Sequence, residues 1–242
     1  MKLYAVGIGP GDAEYLAPRA REVILDCDCI VGYSGYMKLM GELASGKELI
    51  ATGMTGENER CKTAIQEALS GKKVCVVSSG DAGIYGMATL LYELAEAHPS
   101  LEVEVVPGIT AAISAAAILG SPLANDFAVI SLSDLLTPWE VIEKRLDLCN
   151  MADMAICIYN PSSKKRSDYL MKACQIALRH KPGGTKCGYV RNALRGEDSQ
   201  ALVLTLEELS SAQVDMFTTV IIGNSATRVI GGKLVTARGY RI

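Results

Sequence analysis

The chain has 242 residues, 49% of them apolar, enough to bury one large core or two modest ones, and length leans toward two. A net charge of −3, a pI near 5.5 and the lack of any Lys/Arg run longer than three residues leave no electrostatic footprint for a polyphosphate partner, which argues against nucleic acid. Met1-Lys2 leads straight into a strand-like segment, with no signal h-region and no apolar span of membrane length, so a cytoplasmic protein with no membrane partner is expected.

The eight cysteines lie scattered in apolar segments without a C-x-x-C pair, so free thiols are expected. Cys27 and Cys29 read as small apolar residues at a helix-to-strand junction rather than as metal ligands. His98 and His180 are too few to complete a zinc site, and each falls at the expected end of a helix, where imidazole caps the last carbonyls. No metal ligand set is assigned.

In chain order, a buried strand over 3–8 runs into Gly9-Pro10-Gly11-Asp12 and then a helix that Pro18 helps to start. The loop lacks the last glycine of a dinucleotide fingerprint, Pro10 has no N–H for a phosphate, and no Gly-Lys-Ser/Thr follows. A simple turn and a direct ligand contact fit it equally. A strand over 29–32 precedes Tyr33-Ser34-Gly35-Tyr36, whose tyrosines suit either stacking on a planar ligand or packing under a loop. A helix over 57–69 follows.

Residues 74–78 form the next expected strand, and Ser79-Gly80-Asp81-Ala82-Gly83-Ile84-Tyr85-Gly86-Met87 then breaks into a tight loop and a helix N-terminus. Such a junction aims backbone N–H groups outward and sets one carboxylate, Asp81, beside a small ligand. A strand over 103–106, the turn Pro107-Gly108 and an all-apolar helix over 109–119 come next, the last expected to be buried. Thr110-Ala111 and Gly80-Asp81 should adjoin on the carboxyl edge of a parallel sheet. Gly120-Ser121-Pro122 marks the expected domain boundary, dividing the chain into 1–120 and 121–242.

The second half reads as strands over 127–131, 154–159, 187–190, 201–204 and 218–222, helices over 138–148 and 164–179, and a hairpin around Gly231-Gly232. The fold class is therefore α/β, with a mainly parallel sheet first and a mixed sheet with a C-terminal hairpin second. Thr137-Pro138 is expected to cap and start a helix, while Tyr159-Asn160-Pro161-Ser162-Ser163-Lys164-Lys165-Arg166 suits a carboxylate-bearing ligand or, for the lysines, a solvated turn. No Gly-x-Ser-x-Gly elbow or Cys-His pairing is visible, so chemistry would come from a bound activated donor, with positioning as the protein's main contribution.

Gly7-Ile8-Gly9-Pro10-Gly11-Asp12, the 79–87 stretch, Pro107-Gly108-Ile109-Thr110-Ala111, Ile130-Ser131-Leu132-Ser133-Asp134-Leu135-Leu136-Thr137-Pro138-Trp139 and Tyr159-Asn160-Pro161 together resemble the tetrapyrrole (corrin and porphyrin) methylases that use S-adenosylmethionine. They run in family order across nearly the whole chain, down to Arg238-Gly239-Tyr240. The Ser131–Trp139 and Tyr159–Pro161 segments resemble the branch that methylates C17 of a precorrin-3-type macrocycle and contracts the ring in cobalamin synthesis.

The resemblance implies two α/β domains with S-adenosyl-L-methionine in a cleft between them, S-adenosyl-L-homocysteine as product, a tetrapyrrole substrate and a homodimer. It implies that Ser79, Gly80 and Asp81 hold the methionine and ribose part, Ile84 and Tyr85 line the pocket, and Thr110 and Ala111 close one side. Tyr159, Asn160, Asn192 and Ala193 would meet the adenosine, and Gly9, Pro10, Gly11, Ser133 and Asp134 would border the substrate trough. Asp12, Asp126 and Ser131 are the candidates for acid/base help in ring contraction. Branch members often carry His where Asn125 stands, and asparagine cannot accept a proton at neutral pH, so no such role transfers there. Competing readings are a corrin methylase acting at another carbon and a non-catalytic corrinoid- or cofactor-binding protein.

Overall fold

The computed structural model describes residues 1–163 and 165–241, which fall into two compact units, Met1–Ala111 and Ala112–Ile242. The first contains β1 (Lys2–Gly7), a 3-10 turn (Ala13–Tyr15), α1 (Pro18–Asp26), β2 (Cys29–Tyr33), α2 (Ser34–Met37) with a 3-10 extension (Lys38–Ala44), and β3 (Glu48–Thr52). It continues through α3 (Glu57–Leu69), β4 (Val74–Ser78), α4 (Ala88–Ala95) and β5 (Glu102–Val106). All five strands run parallel in the order β3-β2-β4-β1-β5.

Alternation along the strands supplies both faces of this sheet. Leu3, Ala5, Val74 and Val76 pack with Ala64, Ile65 and Leu91 of α3 and α4, whereas Val6, Cys75 and Val77 pack with Ala20, Val23 and Ile24 of α1. Neighbouring strands β1 and β4 thus send their connections to opposite faces, and their carboxyl ends form a switch point, where open α/β sheets bind ligands. The β3 strand was not expected from sequence; it is an edge strand whose apolar run, Leu49-Ile50-Ala51, is three residues long and largely exposed, too short to read as a buried strand.

In the second unit α5 (Ala111–Leu119), whose first residue closes the first unit, is followed by β6 (Gly120–Ser121), β7 (Phe127–Ser131), α6 (Trp139–Met151) and β8 (Ala155–Tyr159). Then come α7 (Tyr169–Leu178), β9 (Lys186–Arg191), β10 (Gln200–Thr205), α8 (Leu206–Leu209), β11 (Thr218–Ile222), β12 (Thr227–Ile230) and β13 (Lys233–Thr236). The main sheet has the order β10-β9-β11-β8-β7, with β7 and β8 parallel and the other pairs antiparallel. Helices α6, α7 and α8 cover one face; α5 and Leu234 of β13 cover the other.

The division between units falls at Ala111 and Ala112, ahead of the Gly120-Ser121-Pro122 turn. Two contacts hold α5 in the second unit. Ala112, Ala115 and Leu119 pack with Cys157, Val190 and Ile221, and β6 pairs in parallel with β13. Helix α5 is not buried all round, since Ile113 is 48% exposed. The expected helix over 164–179 begins only at Tyr169, its proposed start at Lys164 lying outside the described residues, and Pro138 rather than Thr137 occupies the N-cap of α6. The contact His180 makes is with a carboxylate rather than a helix carbonyl, its Nε2 lying 2.8 Å from Asp147 Oδ1 among the described residues. All eight cysteines are free thiols, and seven are buried.

Candidate active site

In the first unit the loops after β1, β4 and β5 meet main chain to main chain. Gly9 N–H donates to Gly80 O (3.0 Å) and Gly80 N–H to Gly9 O (2.7 Å), a two-residue antiparallel bridge across the switch point. A Cβ on Gly108 would lie 2.2 Å from Gly80 O and 2.7 Å from Gly7 C, so no side chain fits where the three loops touch. Gly80 holds φ +72°, and a Cβ built on it would meet Thr110 Cα and Ala111 N at 3.5 and 3.6 Å, so the two loops lie side by side. The expected neighbourhood of Gly80 with Thr110-Ala111 is therefore present.

Asp81 binds its own loop together. Its Oδ1 accepts from the N–H groups of Gly83 (2.8 Å) and Ile84 (3.1 Å), and its Oδ2 accepts from Gly108 N–H (2.9 Å). The carboxylate expected to face a ligand is thus spent in large part on backbone, in an Asx-type turn that also ties in the β5 loop. Nor is this a helix N-terminus: α4 starts at Ala88, after a nine-residue loop whose Tyr85 has φ +54°. Tyr85 and Ile84 are left 59% and 42% exposed. At the far end, buried Arg60 props the loop by donating to Thr52 Oγ1 (2.8 Å) and Gly53 O (3.0 Å) while touching Met87 Sδ (3.7 Å).

Of the residues expected along a substrate trough, Gly11 lines a cleft of about 450 Å³ together with Ile8, Leu16, Leu39, Met40 and Arg21, while Gly9, Pro10, Ser133 and Asp134 are not among its lining. Asp12 stands half-buried at the start of the 3-10 turn, where its carbonyl accepts from Tyr15 N–H. Tyr33 and Tyr36 pack on each other edge to face, ring centroids 5.1 Å apart.

In the second unit β7, β8 and β9 run in one direction, since β11 is antiparallel to both β8 and β9; Ser131, Tyr159-Asn160 and Asn192-Ala193 consequently emerge at one sheet edge. Asn160 Nδ2 donates to Ser131 Oγ (2.9 Å), which also accepts from Ser133 N–H (3.2 Å). The Tyr159 hydroxyl accepts from Ala112 N–H (2.7 Å), using a donor of the first turn of α5 that has no helical partner. Asn160 and Asn192 both take left-handed backbone (φ +52° and +48°), as does Leu194 (φ +53°), a costly conformation that clusters at working sites. Asp126 is not brought to this edge: it precedes Phe127 at the opposite end of β7, exposed, roughly 16 Å of strand away from Ser131.

Ser133 and Asp134 join a polar cluster that sequence reading only touched. Arg166 Nη1 donates to Ser133 Oγ (2.8 Å) and lies 3.3 Å from Asp134 Oδ1, its Nε donates to Ser163 Oγ (3.1 Å), and Tyr169 OH donates to Asp134 Oδ2 (2.6 Å). The Tyr169 hydroxyl and the nearby Arg166 cation hold Asp134 below the usual carboxylate range, and the same contact raises Tyr169. Trp139 packs on Tyr169 with centroids 4.5 Å apart. Separations of 32 and 35 residues from Asp134 give Arg166 and Tyr169 no spacing signal in the sequence.

The family model for Tetrapyrrole (Corrin/Porphyrin) Methylases matches residues 2–210. The chain is 44% identical over 241 residues to a probable cobalt-factor III C(17)-methyltransferase of Salmonella typhimurium, covering 99% of this chain and 100% of that one. It is 42% identical over 246 residues to the cobalt-factor III methyltransferase of Priestia megaterium, but spans only 45% of that longer protein. The crystal structure of the methyltransferase CobJ superimposes with a TM-score of 0.90 at 35% identity, covering 97% of this chain and 99% of that one. On these matches the chain belongs to the tetrapyrrole (corrin/porphyrin) methylases.

Proposed function

We propose that the chain is an S-adenosylmethionine-dependent methyltransferase that methylates C17 of a precorrin-3-type tetrapyrrole, with ring contraction, in cobalamin biosynthesis. The observation that carries this reading is the 44% identity, end to end, with the probable cobalt-factor III C(17)-methyltransferase of Salmonella typhimurium. Assembly as a homodimer in the cytoplasm belongs to the same reading.

The residues present fit the methyl donor. Gly80 packs directly beside Thr110 and Ala111, and Ile84 and Tyr85 are exposed on the same loop as Gly80, leaving apolar surface for a ligand. Ser79, Gly80, Ile84, Tyr85, Thr110 and Ala111 would hold its methionine and ribose part, with Asp81 shaping the loop; Tyr159, Asn160, Asn192 and Ala193 would meet the adenosine. When bound, S-adenosylmethionine supplies a sulfonium methyl to a nucleophilic carbon: the C–S bond breaks as the C–C bond forms, and S-adenosylhomocysteine leaves with the electron pair. The chain's own task is to hold the acceptor carbon in line and exclude water.

For ring contraction Ser131 is the favoured donor at the second unit's edge. Its Oγ accepts two hydrogen bonds, which stabilise negative charge on that oxygen and orient its O–H. Asp12 remains the candidate acid/base on the first glycine loop.

Incubating the protein with labelled S-adenosylmethionine and either cobalt-loaded or metal-free factor III tests the reading. A singly methylated, ring-contracted product supports it, and a product methylated at another carbon replaces it with the sister activity. Tight macrocycle binding without methyl transfer overturns it. Ser131→Ala should lower kcat by about 100-fold or more while leaving the affinity for S-adenosylhomocysteine unchanged.

A further inference from the structure

Arg166 is held through Nε and Nη1 and open at Nη2. Nε and Nη1 donate to Ser163, Ser133 and Asp134, which come from the loops that leave β7 and β8. Nη2 donates to no group among the described residues and still reaches solvent, because the sole enclosed side-chain N or O without a partner among them is Asn150 Oδ1. Asp134 places Oδ1 3.3 Å from Nη1 while its Oδ2 accepts from Tyr169, which is itself fixed against Trp139. The guanidinium plane is therefore set before any ligand arrives, which removes most of the ordering cost of binding.

Immediately after Asp134, Leu135 and Leu136 are 71% and 97% exposed. Two consecutive bare leucines beside a pre-oriented guanidinium suit a ligand with a flat apolar body and an anionic rim. Corrin and porphyrin precursors have this form, with acetate and propionate arms around the ring.

We propose that Arg166 binds a peripheral carboxylate of the macrocycle through Nη2, with Leu135 and Leu136 against the ring, so that this cluster fixes which way the macrocycle lies. The inference rests on the tetrapyrrole reading above. It gives Asp134 and Tyr169 a positioning role: they aim the guanidinium and do not themselves meet the substrate.

The test uses the full chain with uroporphyrin III, an octacarboxylate, and its octamethyl ester, binding being read by fluorescence. The unsubstituted protein should prefer the acid to the ester. Arg166→Leu should weaken acid binding by about 10- to 100-fold and leave the ester and S-adenosylhomocysteine unaffected. Arg166→Lys, which keeps the charge but not the fork and serves if the leucine variant does not fold, should fall between. Tyr169→Phe should weaken acid binding less than Arg166→Leu. With factor III as substrate, KM should rise in Arg166→Leu without a matching fall in kcat. Equal acid binding by Arg166→Leu and the unsubstituted protein, or equal binding of acid and ester by the latter, overturns the inference while methyl transfer keeps the functional reading intact. An unsubstituted protein that methylates no tetrapyrrole removes both.

Discussion

Asp81 is a residue whose importance to a ligand would run through the backbone. Its carboxylate gathers three N–H groups from two loops, and hydrogen bonds to a charged acceptor contribute about 1.5–3 kcal/mol each. Asp81→Ala should therefore weaken S-adenosylmethionine binding by about tenfold or more in isothermal titration, and unchanged affinity would remove the loop from the cofactor assignment. Asp81→Asn retains one acceptor oxygen and should fall between.

Asp134 offers a pH signature. Its folded-state value is depressed, chiefly by the Tyr169 hydroxyl and then by Arg166, so its stabilising effect is complete above the unfolded value of about 3.9 and fades as pH falls through the lower folded value. Asp134→Asn should lower the thermal midpoint at neutral pH, and the gap between variant and parent should shrink as pH falls below the unfolded carboxylate value of about 3.9.

At the level of elements, the junction of Gly7, Gly80 and Gly108 makes three loops one rigid floor. Gly108→Ala drives a Cβ to 2.2 Å from Gly80 O, where backbone must part, and should cost more than about 2 kcal/mol in a denaturant melt. Gly53→Ala, with nothing within 4 Å of its Cβ, should stay within about 0.5 kcal/mol. Strands such as β4, β8 and β11 were legible in sequence because buried runs of Val, Ile and Cys admit few other readings, and α3 because its apolar residues keep helical spacing between Gly56 and Gly71. Edge strand β3 was not, and neither was the length of the loop before α4, because Asp81 stabilises an irregular path that local propensity does not encode. The site was legible as segments and illegible as wiring: Asn160 to Ser131, Tyr159 to Ala112 and Arg166 to Asp134 are long-range pairings that a linear pattern leaves unmarked.

On the scale of the whole molecule, the two units have separate sheets and separate cores. If the proposed homodimer forms, sedimentation equilibrium should return twice the 25.8 kDa chain mass; a monomer at working concentrations would remove that part of the reading. Cys27, Cys29, Cys61 and Cys75 belong to the first unit, and Cys149, Cys157, Cys174 and Cys187 to the second. Burial pushes Cys29 and Cys61 up to about 11 and Cys174 and Cys187 up to about 12, so these thiols stay protonated and inert at neutral pH while the fold is closed. The chain thus carries four native clocks in each half. Timed alkylation followed by peptide mass analysis would read how often each unit opens, with half-exposed Cys149 as the early mark, and would report whether a ligand quiets one half or both.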